Sequence, residues 1–443
     1  MFWANNLYLA RNIFSMGFFL RFPALVVIAL IFHADISAQQ IERCAVRRYE
    51  EFRIASDPEY ASRRLAAAQE IENYARNSSS RFNGEVYRIP VVVHIIYNSE
   101  EQNISDDQVE LQMERLNLDY RRLNSDASQT RQEFMPVAAD AGIEFYLADF
   151  DPDGNPTTGI TRTETSVGSF WLSLTDMKSE STGGVDAWDV NHYLNIWVCN
   201  MAIPFINTPL VLGFATPPEG APNWPANSGA EEPAQDGVVI HYGVFGPTGE
   251  TTGPLATVNQ GRTATHEIGH YLGLRHIWGD GDCTEDDGLT DTPTAAAASQ
   301  QTCDLSSNSC TDNPDDLPDM IENYMDYSDE NCMNMFTGQQ VEAMRFVIEN
   351  FRQDLLLGTG NAFDTGKPEI LVYPNPANDQ IQVMFKTNHD EVTKLELRDL
   401  SGRIVKEDFN NSTLDVSTTD SGVYMIQIWS GTNYFVHKVM IRH

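Results

Sequence analysis

The sequence predicts an α/β (α+β) domain, a twisted mixed sheet with a histidine-bearing helix packed on it, followed by a small all-β sandwich. Three observations predict it. Five runs rich in β-branched and aliphatic residues alternate with helical patterns between residues 86 and 357. One of those helical patterns carries His266-Glu267-Ile268-Gly269-His270. The last seventy-odd residues, 369–443, read as short alternating strands broken by turn residues.

From the N-terminus, Arg11 and Arg21 precede an apolar run, Phe22 to Phe32, too short to span a bilayer, and Ser37-Ala38 offers a small-residue cleavage site. Residues 1–38 therefore read as an export signal, with Met16 as an alternative start, and no other segment is apolar enough to span a membrane. The mature protein is expected outside the cytoplasm. From Gln39 to about Gly84 the chain is polar and helical in pattern with few large apolar residues, a segment that leans on something else. Tyr87–Tyr97 is a buried strand by its run of Val and Ile. Ser105 can cap a helix whose apolar positions are Val109, Met113, Leu116, Tyr120 and Leu123. Ile143–Phe150, Leu194–Cys199, Leu210–Ala215 and Gly237–His241 are further strands, and Glu342–Leu357 is a last helix. Gly358–Pro368 is a linker. The tail strands are Ile370–Tyr373, Gln380–Lys386, Lys394–Leu400, Arg403–Glu407, Val423–Trp429 and Tyr434–Ile441, with turns at Asn375-Pro376, Ser401-Gly402 and Ser430-Gly431.

The formal net charge of −34 argues against nucleic acid and against adhesion to anionic membranes. No Lys or Arg lies between Arg275 and Arg345, a span dense in Asp. Its clustered oxygens, Asp282, Asp286, Asp287 and Asp291, suit a hard cation such as calcium; a solvated acidic surface is the plainer reading. Six cysteines fit an oxidising compartment. Cys283, Cys303, Cys310 and Cys332 fall in that acidic span and allow three pairings, of which the interleaved one, Cys283–Cys310 with Cys303–Cys332, is preferred. Cys44 and Cys199 are left over, Cys199 as a buried thiol on a strand.

The chemistry concentrates in H-E-x-x-H-x-x-G-x-x-H, from His266 to His276. Residues four apart share a helix face, so His266 and His270 can point at one ion, with Glu267 beside them. His276, six residues past His270, would land on the wrong side of a continuing helix. It becomes a third ligand only if the chain turns first, and Gly273 can take the left-handed conformation that ends a helix. Three neutral imidazoles leave a tetrahedral zinc one open position, the pattern of a catalytic site.

This motif, followed by Asn323-Tyr324-Met325-Asp326-Tyr327, resembles the metzincin metalloproteases. Arg275-His276-Ile277-Trp278-Gly279-Asp280, Asp291-Thr292-Pro293 and Cys332-Met333-Asn334-Met335-Phe336 narrow the resemblance to the pappalysin family of secreted endopeptidases, over roughly residues 87–355. The resemblance implies a signal (1–38), a propeptide (39–85) and a metalloprotease domain (86–357). It also implies zinc on His266, His270 and His276, Glu267 as general base, Met325 as the apolar floor and Tyr327 as donor to the oxyanion. Core packing is the alternative for Met325 and Tyr327. Ser328, Asp329 and Glu330 would line the pocket for the side chain after the cut bond, where a carboxylate such as Glu330 would favour Arg or Lys; the alternative is that both acids face solvent. Gly213–Thr216 is the expected edge for an extended peptide substrate. Cys44 would be a latency ligand on the zinc, against a spare thiol or a disulfide with Cys199. The acidic turn resembles a family calcium site.

The tail, with Val372-Tyr373-Pro374-Asn375-Pro376-Ala377 and Gly422-Val423-Tyr424, resembles the sorting domain of the type IX secretion system of Gram-negative Bacteroidetes, a partner for secretion machinery. A carbohydrate-binding or adhesive sandwich is the rival reading. For the whole chain the expectation is a secreted zinc endopeptidase; the alternative is a non-catalytic adhesin with a structural zinc, which would need neither Glu267 nor Tyr327.

Overall fold

The structure, a computed structural model, describes residues 42–57, 59–77, 85–204, 208–209, 211–218, 235–249, 252–312, 316–357, 370–374, 376–385, 392–399, 403–430 and 433–443. The expected signal, the linker, Leu210, Lys386, Leu400 and the turn residues Asn375, Ser401, Gly402 and Gly431 lie outside the described residues.

The first sheet is mixed and has seven strands. They are β1 (Glu42–Cys44), β2 (Tyr87–Tyr97), β3 (Ile143–Leu147), β4 (Ile160–Glu164), β5 (Leu194–Cys199), β6 (Val211–Ala215) and β7 (Val238–His241). In space the order is β1-β6-β7-β5-β2-β3, with β4 also against β2. The β6–β7 pair is antiparallel, while β7–β5, β5–β2, β2–β3 and β2–β4 are parallel. The Val and Ile run of β2 puts Ile89 to Ile96 inside, as a central strand with both faces covered should be. Its two halves take different partners on one side: Tyr87–Val91 pairs β3 and Val93–Tyr97 pairs β4.

Two strands of this sheet went unforeseen. Ile160–Glu164 is polar and partly exposed, so it lacks the apolar run that betrays a buried strand. Glu42–Cys44 is three residues long and exists only because the edge of β6 is there to receive it. The expected strand Ile143–Phe150 stops at Leu147, after which Phe150 bridges Pro156 across a turn.

Among the described residues, five α-helices follow the patterns read above. α1 (Val46–Ser56) and α2 (Tyr60–Asn77) occupy the polar N-terminal segment, and α2 leans on α5 (Gly338–Asn350), Tyr74 stacking on Phe346 at 4.5 Å. α3 (Asp106–Tyr120) is capped by Ser105, whose hydroxyl accepts from Gln108 N. Leu123, expected on its apolar face, lies past its end and is exposed. The last helix starts four residues earlier than expected, because Thr337 and Gln340 form a capping box. It stops at Asn350, and a 3₁₀ turn, Gln353–Leu357, follows; between them Arg352 swings inward to Asp236 and lies over Tyr271.

α4 (Arg262–Tyr271) packs between α3 and the sheet, against β6 and β7, and every one of its ten residues is buried. A cation in a helix's first turn opposes the helix dipole. Arg262 is accommodated there by Asp126, at 2.7 Å, and Asp119, at 3.3 Å.

The tail is a sandwich of two antiparallel sheets, as expected. One holds β8 (Ile370–Tyr373), β9 (Gln380–Phe385) and β12 (Thr413–Asp415); the other holds β10 (Lys394–Arg398), β11 (Ile404–Phe409), β13 (Gly422–Ser430) and β14 (Asn433–Ile441). Ile381, Val383 and Leu414 of the first meet Leu395, Leu397, Ile426, Ile428 and Val439 of the second in one apolar core.

Candidate metal centre and its comparisons

α4 ends where the spacing required. Leu274 N donates to Gly269 O and Gly273 N to His270 O, and Gly273 has φ +94°, a closing pattern that only glycine adopts without strain. The chain reverses, and His276 returns beneath the helix. His270 Nε2 then lies 3.0 Å from both His266 Nε2 and His276 Nε2. Each ring is held through its other nitrogen: His266 Nδ1 by Tyr324 O at 2.7 Å, His270 Nδ1 by Leu274 O at 2.8 Å, and His276 Nδ1 by Asp280 Oδ1 at 2.7 Å. A ring that donates from Nδ1 presents an unprotonated Nε2. Burial, and the neighbouring rings, also hold His266 and His270 neutral, well below the ordinary imidazole pKa. Three converging lone pairs repel each other unless a cation lies between them, so the donor set fits a metal ion. Among the described residues, one group of His, Cys and carboxylate side chains gathers at ligating distance: His266, His270, His276 and Cys44, all within 4.8 Å of one another.

Cys44 reaches this corner from the polar N-terminal segment. Its Sγ is 3.3 Å from Glu267 Oε2, its carbonyl accepts from Tyr327 OH at 3.3 Å, and Ala45 N donates to Gly213 O on the β6 edge. No bond joins it to Cys199; both are free and buried. The edge expected to receive a peptide, Gly213–Thr216, is thus partly covered by β1. Gly213 has a reason of its own: a Cβ there would come within 2.8 Å of Glu267 Cγ.

Met325 is fully buried under α4. A Cβ on Gly269 would fall 2.5 Å from its Sδ, so the glycine between the two helical histidines is what lets the methionine turn in. Tyr327 packs against His276, ring centroids 5.0 Å apart. Burial, then the Cys44 and Glu267 groups, push its pKa far up, so the hydroxyl stays a donor. Glu330 is fully buried rather than solvent-facing. Its carboxylate accepts from Gln260 N at 2.7 Å and Thr263 OH at 2.9 Å. Asp329 instead folds back on Asn331. Beside Glu330 lies a residue that sequence reasoning missed. Arg43, 2% exposed, sits 3.6 Å from Glu330 Oε1, donates to Met333 Sδ at 3.2 Å and also bonds Ser328 O. Its position next to Cys44 was the only hint.

Of the four aspartates expected at a calcium site, Asp286 and Asp291 lie near enough to Asp287 to raise its pKa, and none of the four joins a metal-ligating group among the described residues. Asp282 is exposed and closes a turn on Thr284; Asp291 caps α5 through Gln339 N and Thr337 OH. Asp286 accepts from Gly288 N. Asp287 alone is deeply buried with an unpartnered oxygen, Oδ2. The interleaved disulfides, Cys283–Cys310 and Cys303–Cys332, are both formed.

Two histidines on a helix, a third beyond a glycine turn and a buried methionine below them define the class: a metzincin metalloprotease. Residues 178–349 match the family model described as pregnancy-associated plasma protein-A, and residues 371–442 match the secretion system C-terminal sorting domain. An extracellular metalloprotease of Arthroderma benhamiae is 32% identical over 255 residues, 57% of this chain and 74% of that one. Mature mirolysin of Tannerella forsythia, solved with a cleaved peptide, is 41% identical, covering 62% of this chain and 96% of that one with a TM-score of 0.54. A promirolysin variant is 36% identical over 71% of this chain and 97% of that one, with a TM-score of 0.59. The chain belongs to the pappalysin family of secreted metalloendopeptidases and carries a type IX sorting tail. The family match replaces the expected alternative of a non-catalytic adhesin, and the sorting-domain match that of an adhesive tail. Among the described residues no helix is long and apolar enough to cross a membrane.

Proposed function

We propose that the chain is the latent precursor of a zinc endopeptidase that cuts before basic residues. The convergence of three Nε2 atoms beside Glu267 and Tyr327 carries this reading. An all-imidazole set with one open position suits zinc. Zinc, when bound, lowers the pKa of a water and polarises the scissile carbonyl. The chain's own groups do the rest. Glu267 takes the water proton and hands it to the leaving amine. Tyr327, kept protonated by burial, donates to the developing oxyanion. Met325 and Gly269 keep the floor dry and close. In the precursor, the Cys44 sulfur, gathered with the three imidazoles, would hold the position otherwise open to water. The same segment engages Glu267 and Tyr327, so both are withheld from substrate.

The pocket of Ser328 and Glu330 already has a guanidinium in it, and Arg43 supports Arg or Lys at the position after the cut bond. Calcium has narrower support: Asp287, whose pKa burial pushes up to about 8 and whose Oδ2 is unpartnered, is the oxygen such an ion would relieve. The domain reading, with residues 39–85 as propeptide, rests on the way the segment reaches the metal corner.

Fluorogenic peptides differing only after the cut bond test the reading, with chelator, with zinc restored and with Glu267→Ala. Zinc-dependent cleavage before Arg or Lys is expected, and an indifferent enzyme would remove the pocket assignment. Cys44→Ala should give a precursor active before processing; one still latent would refute the switch.

A further inference from the structure

We propose that Trp278 is a positioning residue that holds the third imidazole and the Tyr327 ring in one geometry; this rests on the zinc reading above. Of the three histidines, His276 alone lies outside α4, so no helix restrains its ring. Asp280 holds Nδ1, but one hydrogen bond leaves the imidazole free to tilt about that contact. The Trp278 indole closes that freedom. It lies face to face with His276, centroids 4.3 Å apart and planes within 9°. The same indole meets Tyr327 edge-on, at 4.8 Å and 71°, and Tyr327 meets His276 at 5.0 Å and 79°. The three rings brace one another in a closed triangle, and Trp278 is buried within it.

The stack has an electrostatic sense as well as a steric one. A divalent ion at Nε2 draws electron density from the imidazole and leaves the ring positive. The indole face is the strongest negative face among side chains, so the contact favours the metal-loaded ring over the empty one. One side chain therefore serves metal affinity through His276 and turnover through Tyr327. An apolar filler would need only bulk; this role needs an aromatic face.

The test compares Trp278→Phe and Trp278→Leu with the wild-type processed enzyme. Zinc affinity is read by competition with a chelating dye, kcat and KM on a fluorogenic peptide, and the melting temperature on metal-free protein. Trp278→Leu should lose about tenfold in zinc affinity and about tenfold in kcat, with KM within about twofold, while Trp278→Phe stays within about threefold of wild type. Metal-free melting should stay cooperative in every variant, which shows that each folds. If the leucine variant does not fold, Trp278→Met carries the same expectation. A leucine or methionine variant that binds zinc as tightly as wild type overturns the proposal, and so does a phenylalanine variant as damaged as leucine. A wild-type enzyme that takes up no zinc overturns the zinc reading itself, and this inference with it.

Discussion

At the residue scale, the proposed roles divide the centre into groups that would hold metal and groups that would do chemistry, and substitutions should separate them. Glu267→Gln should keep its metal, read as zinc per chain, and lose about 10²–10⁴ in kcat, because the proton acceptor is gone while the imidazoles stay put. Tyr327→Phe should lower kcat by about 10²–10³ with little change in KM, since its hydroxyl matters only once the carbonyl oxygen carries charge. A matching loss in both variants' metal content would show that they disturb the imidazoles instead. In the precursor the second anchor, Arg43, is open to the same test. Arg43→Ala should raise the activity of the unprocessed chain, because its guanidinium pairs with Glu330 in the proposed pocket. An Arg43→Ala precursor as silent as the wild type would leave latency to Cys44 alone.

At the scale of elements, α4 is fixed at the back by α3. Asp119 accepts from Thr265 OH at 2.9 Å and Tyr324 OH at 3.0 Å and pairs with Arg262. Tyr324 in turn offers its carbonyl to His266. The helix, the methionine turn and one ligand are thus joined through one carboxylate. Asp119→Ala leaves the Arg262 charge buried against fewer acceptors and should cost about 3–5 kcal/mol in denaturant unfolding. The sheet has its own sensitive point. His94 on β2 sits between Thr161 OH on β4, at 2.8 Å, and Asn195 Oδ1 on β5, at 3.0 Å. Burial lowers its pKa to about 4 from 6.5. A histidine whose folded pKa is depressed lends stability above pH 6.5 and loses it as pH falls toward 4, about 3 kcal/mol over that window. His94→Gln should flatten the acid limb of the stability curve there; an unchanged limb would place the acid sensitivity elsewhere.

At the scale of the molecule, a protease domain with much of its acidic span in irregular loops is followed by an all-β module of different make. Cys283–Cys310 and Cys303–Cys332 close loops of 27 and 29 residues in sequence separation, each worth about 3–4 kcal/mol through the unfolded chain. Reduction should therefore loosen the span that carries Asp287 before it touches the sheet. Removing residues 358–443 should leave peptidase activity intact and stop export, measured as cell-associated against released enzyme. Release of the truncated chain would deny the tail its role.

Much of this was legible because it depends on neighbours along the chain. The 3.6-residue repeat sets His266 over His270, a glycine's freedom to take φ > 0 ends α4 at Gly273, and runs of Val and Ile can settle only as buried strands. What the tertiary structure alone decided depends on partners far off in sequence. Arg43 finds Glu330 across nearly 290 positions, Asp119 finds Tyr324 across about 200, and the polar strand Ile160–Glu164 forms because β2 offers it an edge. Local backbone preference writes the first kind into short spacings. The second kind follows from which surfaces meet when the sheet and helices pack, and no short window of sequence contains that.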